Sequence, residues 1–70
     1  MKTIQINTPF ITLGQLLKFA GIINNGGEAK GFLRANRITI NDEVDNRRGK
    51  KIHPGDKVTI NDKIELLISK

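Results

Sequence analysis

The sequence predicts an α+β domain in which two N-terminal helices pack on a small, mainly antiparallel sheet. Three observations predict it. Apolar residues change from strand-like alternation to helical spacing and back along the chain. Capping-box spacings open each helical stretch. Two Asn-Asp turns punctuate the C-terminal half, where the apolar residues are largely β-branched. Seventy residues make one domain, 1–70, near the lower size at which a core holds without a staple.

Lys2 to Asn7, KTIQIN, alternates polar and apolar with Ile4 and Ile6 on one side, a half-buried strand. In TLGQLLKFAG the residues Leu13, Leu16, Leu17 and Ala20 form one helical stripe. Thr12 and Gln15 make a capping box at its start, and Gly21 suits its end. Asn25 and Glu28 repeat that spacing, so a second helix is expected from Gly26, with Ala29, Phe32 and Leu33 as its apolar stripe. Gly31 reads as a contact point between the helices, and Asn36 as a left-handed C-cap. ITINDEV (38–44) and VTINDKI (58–64) read as two copies of strand, Asn-Asp turn, strand. A duplication could produce the echo, but two similar hairpins selecting similar residues is the preferred account. Between them HPGD fits a type II turn, with Pro54 second and Gly55 third.

Composition narrows the function. The chain has no cysteine, so neither a disulfide nor a thiolate metal site is available. That fits a reducing compartment, and a cytoplasmic protein is expected. MKTIQINTPF lacks the apolar block of a signal peptide, and no apolar run is long enough to span a bilayer. His53, the single histidine, stands before Pro54 in a turn and suits a surface position better than a catalytic base. NDEVD lacks the ligand spacing of a calcium loop, and no nucleophile elbow or phosphate loop is present. A non-enzymatic protein is expected, with no cofactor, no metal and no small-molecule substrate.

The cations do form a constellation. Net charge is +5. From Met1 to Arg37 Glu28 is the single acid, against five cations. Lys30, Arg34 and Arg37 share a helical face, which solvation alone could explain. Gly26 and Gly27, after Asn25, leave backbone N–H groups open to an anion, or simply serve a tight loop. DNRRGKK, with Arg47, Arg48, Lys50 and Lys51, is compact and is no helix face needing solubility. Guanidinium groups pair bidentately with phosphate, and lysines add point charge. With Phe10, Phe19 and Phe32 as the only aromatics, a base-stacking platform looks poorly supplied. No apolar wedge for lipid is evident beside the charge. Phosphate recognition of a folded or paired nucleic acid is the expectation.

The ordered set Leu17, Gly21-Ile22, Asn25, Ala29, Phe32-Leu33, Asn36, Ile38, Ile40-Asn41, then Gly55-Asp56 and Val58, resembles a known family. This is the RNA-binding domain named after ribosomal small-subunit protein S-four, also called the αL motif. The likeness covers roughly residues 12–60 and comes nearest the short stand-alone bacterial members of the YaaA type. It implies two helices on a small sheet and a non-catalytic module for structured RNA, ribosomal or transfer RNA among them. The family's Arg-Leu-Asp opening is replaced by Thr12, Leu13 and Gly14. Its Ser-Arg at the second helix is replaced by Asn25 and Gly26, removing a typical RNA-contacting arginine. The expected RNA-binding set is Asn25, Gly26, Gly27, Lys30, Arg34, Arg37, Arg47, Arg48, Lys50 and Lys51, with Arg47 and Arg48 dominant. A basic face for an acidic protein partner, and a duplex DNA site, are the competing expectations.

Overall fold

The computed structural model covers Met1–Lys70. A five-stranded sheet runs in the order β1-β7-β6-β3-β4. Its strands are β1 (Lys2–Gln5), β3 (Ile38–Ile40), β4 (Glu43–Val44), β6 (Lys57–Ile60) and β7 (Ile64–Ser69). All pairings are antiparallel except β1 on β7, which is parallel and sets Ile4 beside Ile68. A separate two-stranded ribbon pairs β2 (Ile11–Thr12) with β5 (Lys51–Ile52). The helices are α1 (Leu13–Phe19) and α2 (Ala29–Ala35). The α+β architecture read from the sequence is the one observed.

The core lies between the helices and one face of the sheet. Leu13, Leu16 and Leu17 from α1 meet Ala29 and Leu33 from α2, and Ile4, Ile38, Ile40, Val58, Ile60, Leu66 and Ile68 from the strands. Each fully buried Leu or Ile contributes about 1.5–3 kcal/mol by leaving water. On the other face the cross-strand pair Thr39 and Thr59 is buried without being part of that cluster.

The start of α1 forms as its sequence suggests: Thr12 Oγ1 accepts the Gln15 N–H at 3.4 Å. Its end is a Schellman motif. Gly21 has φ +78°, its N–H reaches the Lys18 carbonyl, and the Ile22 N–H reaches Leu17. Both Asn-Asp pairs take positive φ, and Gly55 does so at +97° with the Asp56 N–H on the His53 carbonyl.

Three local expectations are corrected. Gly26–Glu28 is a 3₁₀ turn, α2 begins at Ala29, and the Asn25 side chain makes no cap bond. Two glycines commit weakly to a helix, so the Asn25 carbonyl takes the Glu28 N–H in a tighter i to i+3 bond instead. Asn36 is extended, φ −128°, not left-handed. The chain must run straight into β3, and Asn36 Nδ2 satisfies the Phe32 carbonyl at 2.9 Å without a reversal. Gly31 is exposed, and a Cβ there would touch nothing within 4 Å. The close approach belongs to Gly14, where a Cβ would lie 2.7 Å from Arg48 Cγ.

Candidate nucleic-acid interface

The loop between β4 and β5 is pinned at both ends. After Val44 the Asp45 N–H bonds the Ile38 carbonyl. Asp45 then folds the chain onto itself: its Oδ1 accepts the Arg47 N–H at 3.0 Å, and its carboxylate takes the Arg47 guanidinium at 2.7 Å. The Lys50 N–H closes the turn on the Arg47 carbonyl. Further on, the carbonyls of Arg48 and Lys50 accept the N–H groups of Gly14 and Leu13 at 2.9 and 2.8 Å. The first donors of a helix ordinarily lack partners. Here the basic loop supplies them, so loop and α1 are one unit.

This clamp gives the two arginines different surroundings. Arg47 turns back to Asp45, whose carboxyl is held down at about 2 by the Arg47 side-chain hydrogen bonds, working against partial burial. The Arg47 guanidinium is correspondingly raised by Asp45. Arg48 instead lays its stem across Gly14 toward the helices. It lines a depression of about 430 Å³ with Lys30, Arg34, Leu33 and Asn46. It also lines a larger groove of about 790 Å³ beside Lys18, Phe19, Gln15 and Gly26. Lys30, Arg34 and Arg48 thus come together.

The other expected residues scatter around this center. Gly26 opens into the larger groove with free space where a Cβ would stand. Asn25 and Gly27 lie exposed beside it, the Asn25 Oδ1 being 3.2 Å from a Cβ on Gly27. Lys51 sets its Nζ 4.9 Å over the Phe10 ring, a cation–π geometry. Lys50 is half-buried. Arg37 lies past the end of α2, its N–H held by Asn61 Oδ1 at 2.8 Å, and lines neither depression. In the turn after β5, partial burial pushes Asp56 up. The His53 N–H, Asn41 Nδ2 and the charges of His53 and Lys50 outweigh it and leave the carboxyl lowered.

Gly14, Gln15, Lys18 and Phe19 line the larger groove although none belongs to the expected binding set. The last had a signal: Phe19 falls off the Leu13, Leu16, Leu17 stripe and so had no core to enter. The expectation that no apolar surface accompanies the charge is overturned, because Phe19 is 64% and Phe10 37% exposed. No three His, Asp or Glu side chains converge on a metal-sized site. No helix is long and apolar enough to cross a membrane.

Residues 4–68 match the family model described as S4 domain. The chain belongs to the S4 domain family. RNA binding is that family's general function, and the convergent cations suit it. Among curated proteins the chain is similar to "Probable ribosome maturation protein RlbA" of Bacillus subtilis (strain 168). The two are 54% identical over 57 residues, covering 81% of this chain and 80% of that protein. Against the S4 pattern, Gly14 and Gly26 are the telling departures. Both line the larger groove that Arg48 enters.

Proposed function

We propose that this protein is a non-catalytic module that holds structured RNA mainly through its phosphates. The observation carrying the reading is the convergence of Lys30, Arg34 and Arg48 on one depression with no acid in its lining. Lys50, Lys51 and Arg47 extend the charge along the loop. Asn25, Gly26 and Gly27 offer backbone and amide donors at the groove, and Arg37 stands at the far end. Arg48 takes the place of the family arginine missing at Gly26, since it lines the same groove. The curated relative's name makes ribosomal RNA the first RNA to try. Arg48 contributes more than Arg47, because Arg47 must first leave Asp45.

Affinity for a structured RNA stem-loop across a salt series tests this. Each phosphate contact contributes about 0.7–0.9 to the slope of log K against log salt. The wild-type slope should reach several units, and the Lys30→Ala, Arg34→Ala, Arg48→Ala triple variant should lose roughly two to three of them. Arg48→Ala alone should lower the slope more than Arg47→Ala. Equal affinity for folded RNA, duplex DNA and heparin at matched charge would sink the reading in favor of a generic cation patch. No binding beyond that of an unrelated basic protein would turn attention to an acidic protein partner.

A further inference from the structure

Phosphate recognition leaves Phe19 unused. It is the last residue of α1, and its ring is largely in solvent. A lone exposed aromatic is ordinary on a protein surface. This one is set apart by its setting, because it walls the larger of the two depressions that Arg48 lines. That groove, about 790 Å³, falls within the roughly 300–1,000 Å³ of small-ligand clefts. Buried Gly14 and Ala29 form its base, while Lys18, Phe19 and Arg48 stand exposed around it. No acidic residue lines it, and Gln15 brings a side-chain amide.

A flat ring, an amide and two cations are the parts a nucleotide site needs. The ring offers its face to a base, the amide can pair with a base edge, and the cations hold the phosphate. We propose that one unpaired nucleotide of the bound RNA seats its base in this groove against Phe19, with its phosphate on Arg48. The inference rests on the RNA-binding reading above and names the feature of RNA that this surface selects. Arg48 lies at the junction, so a backbone held by Lys30 and Arg34 can turn one base into the groove without leaving the cations. A paired base cannot enter. Its faces are stacked and its pairing edge is occupied, so the ligand is a bulge, a loop or a strand end.

The test uses two hairpin RNAs with the same paired stem, one uninterrupted and one carrying a single additional, unpaired 2-aminopurine in the stem. Base–aromatic stacking is worth roughly 5- to 150-fold in affinity. The wild type should prefer the bulged RNA by about tenfold, and the fluorescence of the 2-aminopurine should drop on binding. Phe19→Ala should abolish both the preference and the fluorescence change while leaving paired-hairpin affinity within about twofold. Phe19→Tyr should keep them, and Phe19→Leu, apolar but without a π-face, should not. The ring is exposed, so all three variants should melt with the wild type. A preference that survives Phe19→Ala overturns the inference, as does equal weakening of both RNAs. Equal binding of both RNAs by the wild type, with its salt slope intact, overturns this inference alone and leaves the ring to a protein contact. Absence of salt-dependent binding to either RNA removes the RNA reading itself.

Discussion

ITINDEV at 38–44 and VTINDKI at 58–64 share a seed and become different things. Each forms a hairpin, β3–β4 and β6–β7, with positive φ at both turn residues: 52° and 70° for Asn41 and Asp42, 53° and 57° for Asn61 and Asp62. Because β3 and β6 pair antiparallel, each asparagine docks beside the start of the other strand. Asn41 donates its N–H to the Lys57 carbonyl and accepts the Lys57 N–H on Oδ1. Asn61 does the same with Arg37. The two part after the turn. Ile64 to Ser69 continues as an alternating strand that buries Leu66 and Ile68 between β6 and β1. β4 stops after two residues, with Val44 exposed at the sheet edge, and Asp45 bends the chain into the basic loop. Turn chemistry is local. The fate of the returning strand depends on whether apolar alternation continues and a second neighbor awaits it. One hairpin completes the core, and its twin delivers cations to the helices.

The comparison breaks first at its strands. Leu66→Ala should cost about 2–5 kcal/mol, as truncation of a buried leucine does, whereas Val44→Ala should stay within about 0.5 kcal/mol. Urea unfolding of the two variants checks this, and similar costs would mean that β4 is as integral as β7. At the turns the hairpins should behave alike. Asn41→Ala and Asn61→Ala each put a Cβ-bearing residue without a polar side chain at positive φ and remove a two-point clamp, at about 1–2 kcal/mol apiece. A gap wider than about 1 kcal/mol between them would show that the likeness is only geometric. Glycine at either position should recover the conformational part alone.

The smallest effect is confined to the basic loop. Asp45 is depressed to about 2, so its contribution is complete above about pH 4 and lost as pH falls toward 2. Asp56 is shifted in the same direction. The carboxyl carbon of Asp45, followed by NMR, should titrate near 2 in the wild type. In Arg47→Ala its midpoint should return toward about 3.9. An unmoved midpoint would mean that Arg47 does not hold the loop, and the distinction between the two arginines would go with it.

What the sequence disclosed follows the same division. The Asn-Asp turns, Gly21 and His53-Pro54-Gly55-Asp56 were legible because a few adjacent residues decide a turn. The leucine stripe of α1 was legible because a helix repeats faster than its neighbors change. The start of α2 differs from the expected one because Asn25 and Glu28 have the right spacing, yet the glycines between them favor a tighter turn. Gly14 was hidden, since only the arrival of Arg48 from a distant loop makes a side chain there costly. Adjacent letters in DNRRGKK likewise gave no sign that Arg47 folds back on Asp45 while Arg48 crosses to α1. Residue types announced the cations of the site, but their grouping came from tertiary contacts that no local pattern encodes.

The parallel pairing of β1 with β7 carries a consequence for how the chain comes to be folded. During synthesis β1 emerges first, but its partner is the final strand of the sheet, almost the whole chain away. Until β7 is free, β1 has no ladder and β6 keeps an open edge. The leucines of α1 then rest on a sheet lacking the strand that joins β1 to β6. Local helix and turn formation can run ahead, yet long-range pairing must close a large loop before it gains anything. The domain therefore completes its fold late and in one cooperative step, and a chain arrested short of Ile64 would present unpaired strand edges to its surroundings.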